Sequence, residues 1–185
     1  MNPLLELRDA GQSVWLDFLR RGLITGGGLK RLIDEDGLSG VTSNPSIFRK
    51  AISGSTDYDE PVRALVEKGT TEPREIFYDL ALEDIQMAAD LFRPQFDSSG
   101  GAYGFVSFEL EAAIAHDTRA SVEKAKELVA RIDRPNLMIK VPGTVEGVPA
   151  VEELTAAGVN VNITLLFGVD RYEEVARAYI SGLEK

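Results

Sequence analysis

Leu137-Met-Ile-Lys-Val-Pro142, with Gly143 behind it, decides how this chain is read. Its apolar residues do not alternate strictly with polar ones, and Pro142-Gly143 punctuates its end. That pattern predicts a short strand over Leu137–Val141, buried on both faces. Upstream, Thr118–Ile132 places Val122, Ala125, Leu128 and Val129 on one helical stripe. Downstream, Val148–Ala157 reads as a helix with Gly158 as its C′ residue. Further strands are predicted at Tyr103–Leu110 and Val159–Phe167, and a last helix at Asp170–Leu183 with Asp170 as N-cap. Strand and helix therefore alternate from residue 100 onward, the pattern of a parallel α/β fold.

The earlier residues extend the pattern with less regularity. Ser13–Leu19 reads as a strand with Asp17 in its middle, and Gly40–Pro45 as a second one. Between them Gly26-Gly27-Gly28 breaks the chain, and Leu29–Asp36 forms a short helix stopped by Gly37. A helical turn is expected over Ser46–Ile52 and a helix near residues 59–68. The clearest helix runs from Pro73 to Phe92, where Phe77, Ala81, Ile85, Ala88 and Phe92 make one apolar stripe. Thr71 is its expected N-cap, Pro94 its expected stop, and Gly100-Gly101 the turn that follows.

Composition narrows what such a fold can do. The 185 residues carry 30 Asp+Glu against 20 Lys+Arg, a formal net charge of -10. An acidic surface disfavours bulk binding to nucleic acid or to an anionic membrane, though a local basic pocket for phosphate remains compatible with it. The absence of Cys excludes disulfides, thiolate catalysis and Cys-based zinc sites, and the single His excludes a multi-His metal site. No apolar run approaches the ~20 residues of a membrane span. The opening MNPLLELRDAGQS lacks a basic region followed by an apolar one, so no secretory signal is expected and the chain is read as cytoplasmic.

The sequence has no G-x-G-x-x-G, no phosphate-binding P-loop and no G-x-S-x-G elbow. What it has is a polar or ionisable residue in or just after nearly every strand: Asp17, Asn44, Glu109, Lys140, Asn162 and Thr164. In a (β/α)8 barrel, residues so placed converge at the C-terminal face. Lys140 is the sharpest of them. A charged amine among apolar neighbours is costly, and the neutral amine is a nucleophile toward carbonyls, which suggests Schiff-base chemistry. The alternative is a lysine whose head reaches water from a strand end. Glu109 could shuttle protons or be a solvated acid just past its strand. Asp17, flanked by apolar residues, needs a partner, either Lys140 or a substrate hydroxyl. Asn162 and Thr164 share one strand face, whereas Asn44 before Pro45 is also consistent with turn chemistry. His116 receives no role, and Trp15 is read as core.

Taken together, five segments resemble bacterial transaldolases, and they stand in the family's order along almost the whole chain. They are Ser13-Val-Trp-Leu-Asp17, Gly40-Val-Thr-Ser-Asn-Pro-Ser-Ile-Phe48, Gly104-Phe-Val-Ser-Phe-Glu109, Asn136-Leu-Met-Ile-Lys-Val-Pro142 and Val159-Asn-Val-Asn-Ile-Thr-Leu-Leu-Phe167. The resemblance implies that Lys140 forms the imine, Glu109 relays protons through a bound water, Thr164 orients that water, and Asp17 acts at the substrate's C4 hydroxyl. Asn44 and Asn162 would hold the dihydroxyacetone unit, with Thr42 and Ser43 of the same motif also in substrate binding. It implies sugar-phosphate substrates, a place in the pentose phosphate pathway, and no metal or cofactor. A similar family, fructose-6-phosphate aldolase, carries Gln where Glu109 stands, so Glu109 favours the transaldolase reading. Departures occur at Glu111, Ala112 and Gly143, in loops beyond the imine strand or the third strand. A barrel of this kind has eight strands over about 250 residues, and five are counted here. The chain is accordingly expected to be the N-terminal portion of a single barrel domain, lacking the later strands that grip the substrate phosphate. On that expectation it is weakly active or inactive alone, and self-associates or is complemented by the missing strands. A non-catalytic binding module on the same scaffold is the alternative.

Overall fold

The computed structural model describes residues 2–185. Five parallel strands are hydrogen-bonded in chain order: β1 (Trp15–Leu16), β2 (Gly40–Ser43), β3 (Phe105–Glu109), β4 (Leu137–Pro142) and β5 (Val161–Thr164). The α/β class and the strand count match the sequence reading. The chain divides into two compact units, one comprising the residues up to Val106 with Arg134–Asn136, the other Ser107–Asp133 with Leu137–Lys185.

The first unit holds helices α1 (Pro3–Asp9), α2 (Arg21–Thr25), α3 (Gly28–Asp36), α4 (Pro45–Gly54), α5 (Asp59–Glu67) and α6 (Pro73–Ser98). Trp15 pairs with Gly40 and Leu16 with Val41. Glycine is required at position 40, because a Cβ there would sit 2.6 Å from the Trp15 indole. Val41, Phe48, Ile85 and Phe92 are fully buried and form part of the core. Asn136, also fully buried, donates from Nδ2 to the carbonyls of Ala89 and Gly104 at 2.9 and 2.8 Å. Those bonds satisfy backbone acceptors that would otherwise be stranded in the interior.

The second unit holds the rest of β3 with β4, β5 and helices α7 (Thr118–Ile132), α8 (Gly147–Ala156) and α9 (Val169–Leu183). Ile139 and Val141 of β4 are buried together with Val122, Ala125 and Leu128 of α7 and Ala150, Val151 and Leu154 of α8. Helices α8 and α9 approach closely at Gly182, where a Cβ would lie 2.7 Å from the Glu152 carbonyl oxygen and from Thr155 Cβ. Asp117 caps α7, its side chain accepting from the Ala120 N–H at 2.9 Å.

Several boundaries depart from the sequence reading. The first strand is two residues long and ends before Asp17. Helix α2 was not expected, since its five residues are too few to show a period. Pro94 lies inside α6 rather than ending it. Proline removes one helix hydrogen bond, but Pro94 is exposed, so the freed Asp90 carbonyl can meet water. Tertiary contacts hold the last turn: Phe96 stacks edge-on against Phe105 at 5.2 Å, and Gln95 donates to the Leu38 carbonyl at 3.1 Å. The N-cap position of α6 is Glu72, not Thr71, and that of α9 is Gly168, with Asp170 in the first turn. The fifth strand stops at Thr164 because Leu165 adopts φ 61°, a left-handed conformation no strand tolerates. Among the described residues no helix is long and apolar enough to cross a membrane.

Candidate functional site

Alternation along β4 explains how a lysine is accommodated in an apolar strand. Leu137, Ile139 and Val141 point to the buried face, and Lys140 points to the opposite one. There its Nζ lies 3.3 Å from Glu109 Oε2, with the two side chains only 14% and 21% exposed. The alternative of a lysine reaching open water does not describe this site. Leu110 donates its N–H to the Lys140 carbonyl at 3.1 Å, which fixes β3 against β4 at this level.

The neighbouring strands supply neutral groups on the same face. Register places Lys140 opposite Asn162 and Pro142 opposite Thr164. Asn162 Nδ2 donates to Ser107 Oγ at 3.0 Å, and Ser107 lies two residues before Glu109, so the two share a strand face. Ser107, Glu109, Lys140, Asn162 and Thr164 thus form one polar surface within the second unit. An amine held against a carboxylate can lose and regain a proton locally, and amide and hydroxyl groups beside it can orient a polyhydroxylated carbonyl compound. Ser107 was not singled out from the sequence. Its spacing of two from Glu109 was the available signal.

The remaining candidates belong to the first unit. Thr42 Oγ1 is buried with no hydrogen-bond partner among the described residues, a state costly enough to make it a candidate for a bound polar group. Ser43 is fully buried. Asn44 is the N-cap of α4, its side-chain oxygen accepting from the Ile47 N–H at 3.0 Å, so the turn-chemistry reading holds for that oxygen and leaves the amide NH2 as its donor group. Asp17 corrects an expectation. Its apolar sequence neighbours do not enclose it: Asp17 is exposed just past β1, Phe18 is 41% exposed, and only Leu19 is buried. The short strand ends before the side chains can alternate further. Asp17 instead lines a cavity of about 370 Å³ with Phe18, Arg20, Ile47, Lys50, Ala51, Gly54 and Ser55.

A buried charged network escaped the sequence reading. Asp84 of α6 is fully buried, accepts from Tyr58 Oη at 2.6 Å, and pairs with Arg21 Nε at 2.7 Å. Arg21 also reaches Glu83 Oε2 at 2.6 Å, and Tyr58 Oη accepts the Arg21 backbone N–H at 3.0 Å. Burial pushes the Asp84 carboxyl above its ordinary value, against the hydrogen bonds from Tyr58 and Arg21. Burial and the bond to Asp84 likewise push the Tyr58 hydroxyl up. Asp84 falls three residues after Ala81 and four before Ala88, on the apolar stripe itself, and that spacing is the signal in the sequence. His116 is 79% exposed and meets Glu146 at 3.1 Å, as a surface residue would. Among the described residues no three His, Asp or Glu side chains are grouped to hold a metal ion.

A family model described as Transaldolase/Fructose-6-phosphate aldolase matches residues 14–183. "Transaldolase 2" of Nostoc punctiforme is 47% identical over 184 residues, covering 100% of this chain and 48% of the relative. "Transaldolase" of Saccharopolyspora erythraea is 48% identical over 185 residues, with 100% and 50% covered. "Transaldolase 2" of Streptomyces coelicolor is 44% identical over 184 residues, with 100% and 49% covered. The chain spans about half the length of the curated relatives it matches. The strand order, the polar face around Lys140 and these matches agree: the chain belongs to the transaldolase/fructose-6-phosphate aldolase family.

Proposed function

We propose that this chain supplies the imine-forming half of a transaldolase, acting in the cytoplasm in the pentose phosphate pathway. The observation that carries the reading is the enclosed contact of 3.3 Å between Lys140 Nζ and Glu109 Oε2. Lys140 attacks C2 of sedoheptulose 7-phosphate, and loss of water gives the iminium. Glu109 moves the protons of this step through a bound water that Thr164 orients. Asp17 takes the proton of the C4 hydroxyl as the C3–C4 bond breaks. The electron pair passes into the iminium to form an enamine, and erythrose 4-phosphate leaves as the aldehyde. The enamine carbon then attacks the aldehyde of glyceraldehyde 3-phosphate, Asp17 returns the proton to the new hydroxyl, and hydrolysis releases fructose 6-phosphate. Asn44, Asn162, Thr42 and Ser43 hold the dihydroxyacetone unit meanwhile. The carboxylate at position 109 favours this reaction over that of a fructose-6-phosphate aldolase.

The chain is, on this reading, the N-terminal portion of one (β/α)8 barrel domain, completed by strands equivalent to the second half of its relatives. Support comes from the shared half-length and from large apolar side chains exposed after β5, Phe167 at 91% among them. A transfer assay tests the reading. The chain mixed with the second half of the Nostoc punctiforme relative is expected to convert sedoheptulose 7-phosphate and glyceraldehyde 3-phosphate to erythrose 4-phosphate, and Lys140→Met is expected to abolish this. Equal turnover by the Lys140→Met variant, or none by the mixture, contradicts it.

A further inference from the structure

We propose that Arg21 is a positioning residue for Asp17, held in place by a closed ring with Tyr58 and Asp84. That Asp17 moves the substrate's proton rests on the transaldolase reading above. The ring itself rests on the structure, and Arg21 enters it twice. Its Nε donates to Asp84 Oδ1 at 2.7 Å, and its backbone N–H donates to Tyr58 Oη at 3.0 Å. Tyr58 Oη closes the ring by donating to Asp84 Oδ2 at 2.6 Å. The Arg21 guanidinium carbon also lies 5.3 Å from the centre of the Tyr58 ring. All three residues are buried and lie in the first unit. Side chain and backbone of Arg21 are thus fixed by the same two partners.

What the ring fixes is the turn that carries Asp17. Residues 17–20 form no regular structure between β1 and α2. Upstream they are held by the pairing of Leu16 with Val41. Downstream they are held by the start of α2, whose five residues are too few to form a helix unaided. Its first free N–H groups are taken by a distant segment instead. Tyr58 Oη accepts that of Arg21, and Asp57 Oδ2 accepts that of Gly22 at 3.0 Å. Asp57 and Tyr58 belong to a 3-10 turn, Thr56–Tyr58, that follows directly from Ser55. Ser55 lines the same cleft of about 370 Å³ as Asp17. The ring therefore ties the two walls of that cleft together, the Asp17 turn and the end of α4. A buried ion pair is often no more stabilising than apolar side chains of equal volume. What its hydrogen bonds add is one fixed geometry, here at the Arg21 backbone. An acid/base must lie within hydrogen-bond reach of the proton it moves, and an error of about 1 Å can cost about 10²-fold in rate.

Local placement can be separated from stability and from imine formation. In the 185-residue chain, Tyr58→Phe and Arg21→Lys are expected to lower the ¹⁵N order parameters of residues 17–20 from about 0.85 toward about 0.6. Phe92→Leu, a loss of packing about two turns along α6 from Asp84, is expected to leave them unchanged. In the mixture with the second half of the Nostoc punctiforme relative, both ring variants are expected to lower kcat for transfer about 10- to 100-fold. Borohydride trapping at Lys140 should proceed at the wild-type rate in both, since that step does not use Asp17. Order parameters unchanged in both ring variants, or lowered equally by Phe92→Leu, overturn the proposal. So does a wild-type kcat in both, or trapping that falls in step with kcat. A wild-type chain that traps no sugar on Lys140 contradicts the imine reading instead, and the order parameters then decide on the ring alone.

Discussion

At the scale of the residue, two carboxylate pairings of opposite character stand out. Glu109 and Lys140 meet on a polar strand face, where both side chains remain partly exposed. Asp84 is sealed among α6, Arg21 and Tyr58, where its hydrogen bonds serve the fold. Removing one partner from such a network leaves the other buried and unsatisfied. Tyr58→Phe is expected to cost about 1–3 kcal/mol in urea denaturation for this reason. The network also sets a pH dependence. The folded-state value of the Tyr58 hydroxyl is raised, chiefly by burial, so the folded state holds this proton more tightly than the unfolded one. Its contribution is fully present below the unfolded value of about 10 and is lost as pH rises beyond it. Wild-type stability should thus fall more steeply above about pH 10 than that of Tyr58→Phe, and identical alkaline slopes would remove Tyr58 from the account.

At the scale of the element, the close approaches decide more than propensity does. Trp15 lies over Gly40, joining the strand that precedes Asp17 to the strand that precedes Asn44. Gly40→Ala places a methyl carbon 2.6–2.8 Å from indole carbons. It is expected to cost about 1–3 kcal/mol, an overpacking penalty, and to shift the emission of the chain's single Trp. Unchanged stability and emission would show that the β1–β2 pair yields without strain. The same scale explains what was legible in the sequence. The α7, β4 and α8 ranges were readable to within a residue because their apolar spacing, caps and breakers agree with one another. The shared face of Asn162 and Thr164 was legible because side chains alternate along a strand. Pro94 inside α6 was not readable, since Phe96 and Gln95 anchor that turn through distant partners. Asp17 was misjudged because apolar neighbours in sequence imply burial only while the strand continues, and β1 stops at Leu16.

At the scale of the molecule, the second unit carries a run of large apolar side chains in water. Leu165, Phe167, Val169, Tyr172, Ile180 and Leu183 are between 55% and 91% exposed. Exposed apolar side chains of this size favour association with another chain. Sedimentation equilibrium of the isolated chain is expected to show concentration-dependent association in the micromolar to millimolar range, weakened by Phe167→Glu. A monomer throughout that range, with no effect of Phe167→Glu, would mean that these side chains do not drive association.

The central claim, that Lys140 is the imine-forming residue and Glu109 its proton partner, is tested most directly by borohydride reduction of the chain with fructose 6-phosphate, followed by peptide mapping in a mass spectrometer. The account predicts a stable sugar-derived adduct on Lys140, accumulating about 10²- to 10⁴-fold more slowly in Glu109→Gln. An adduct on any other lysine, no adduct on Lys140, or unchanged trapping in Glu109→Gln would contradict it.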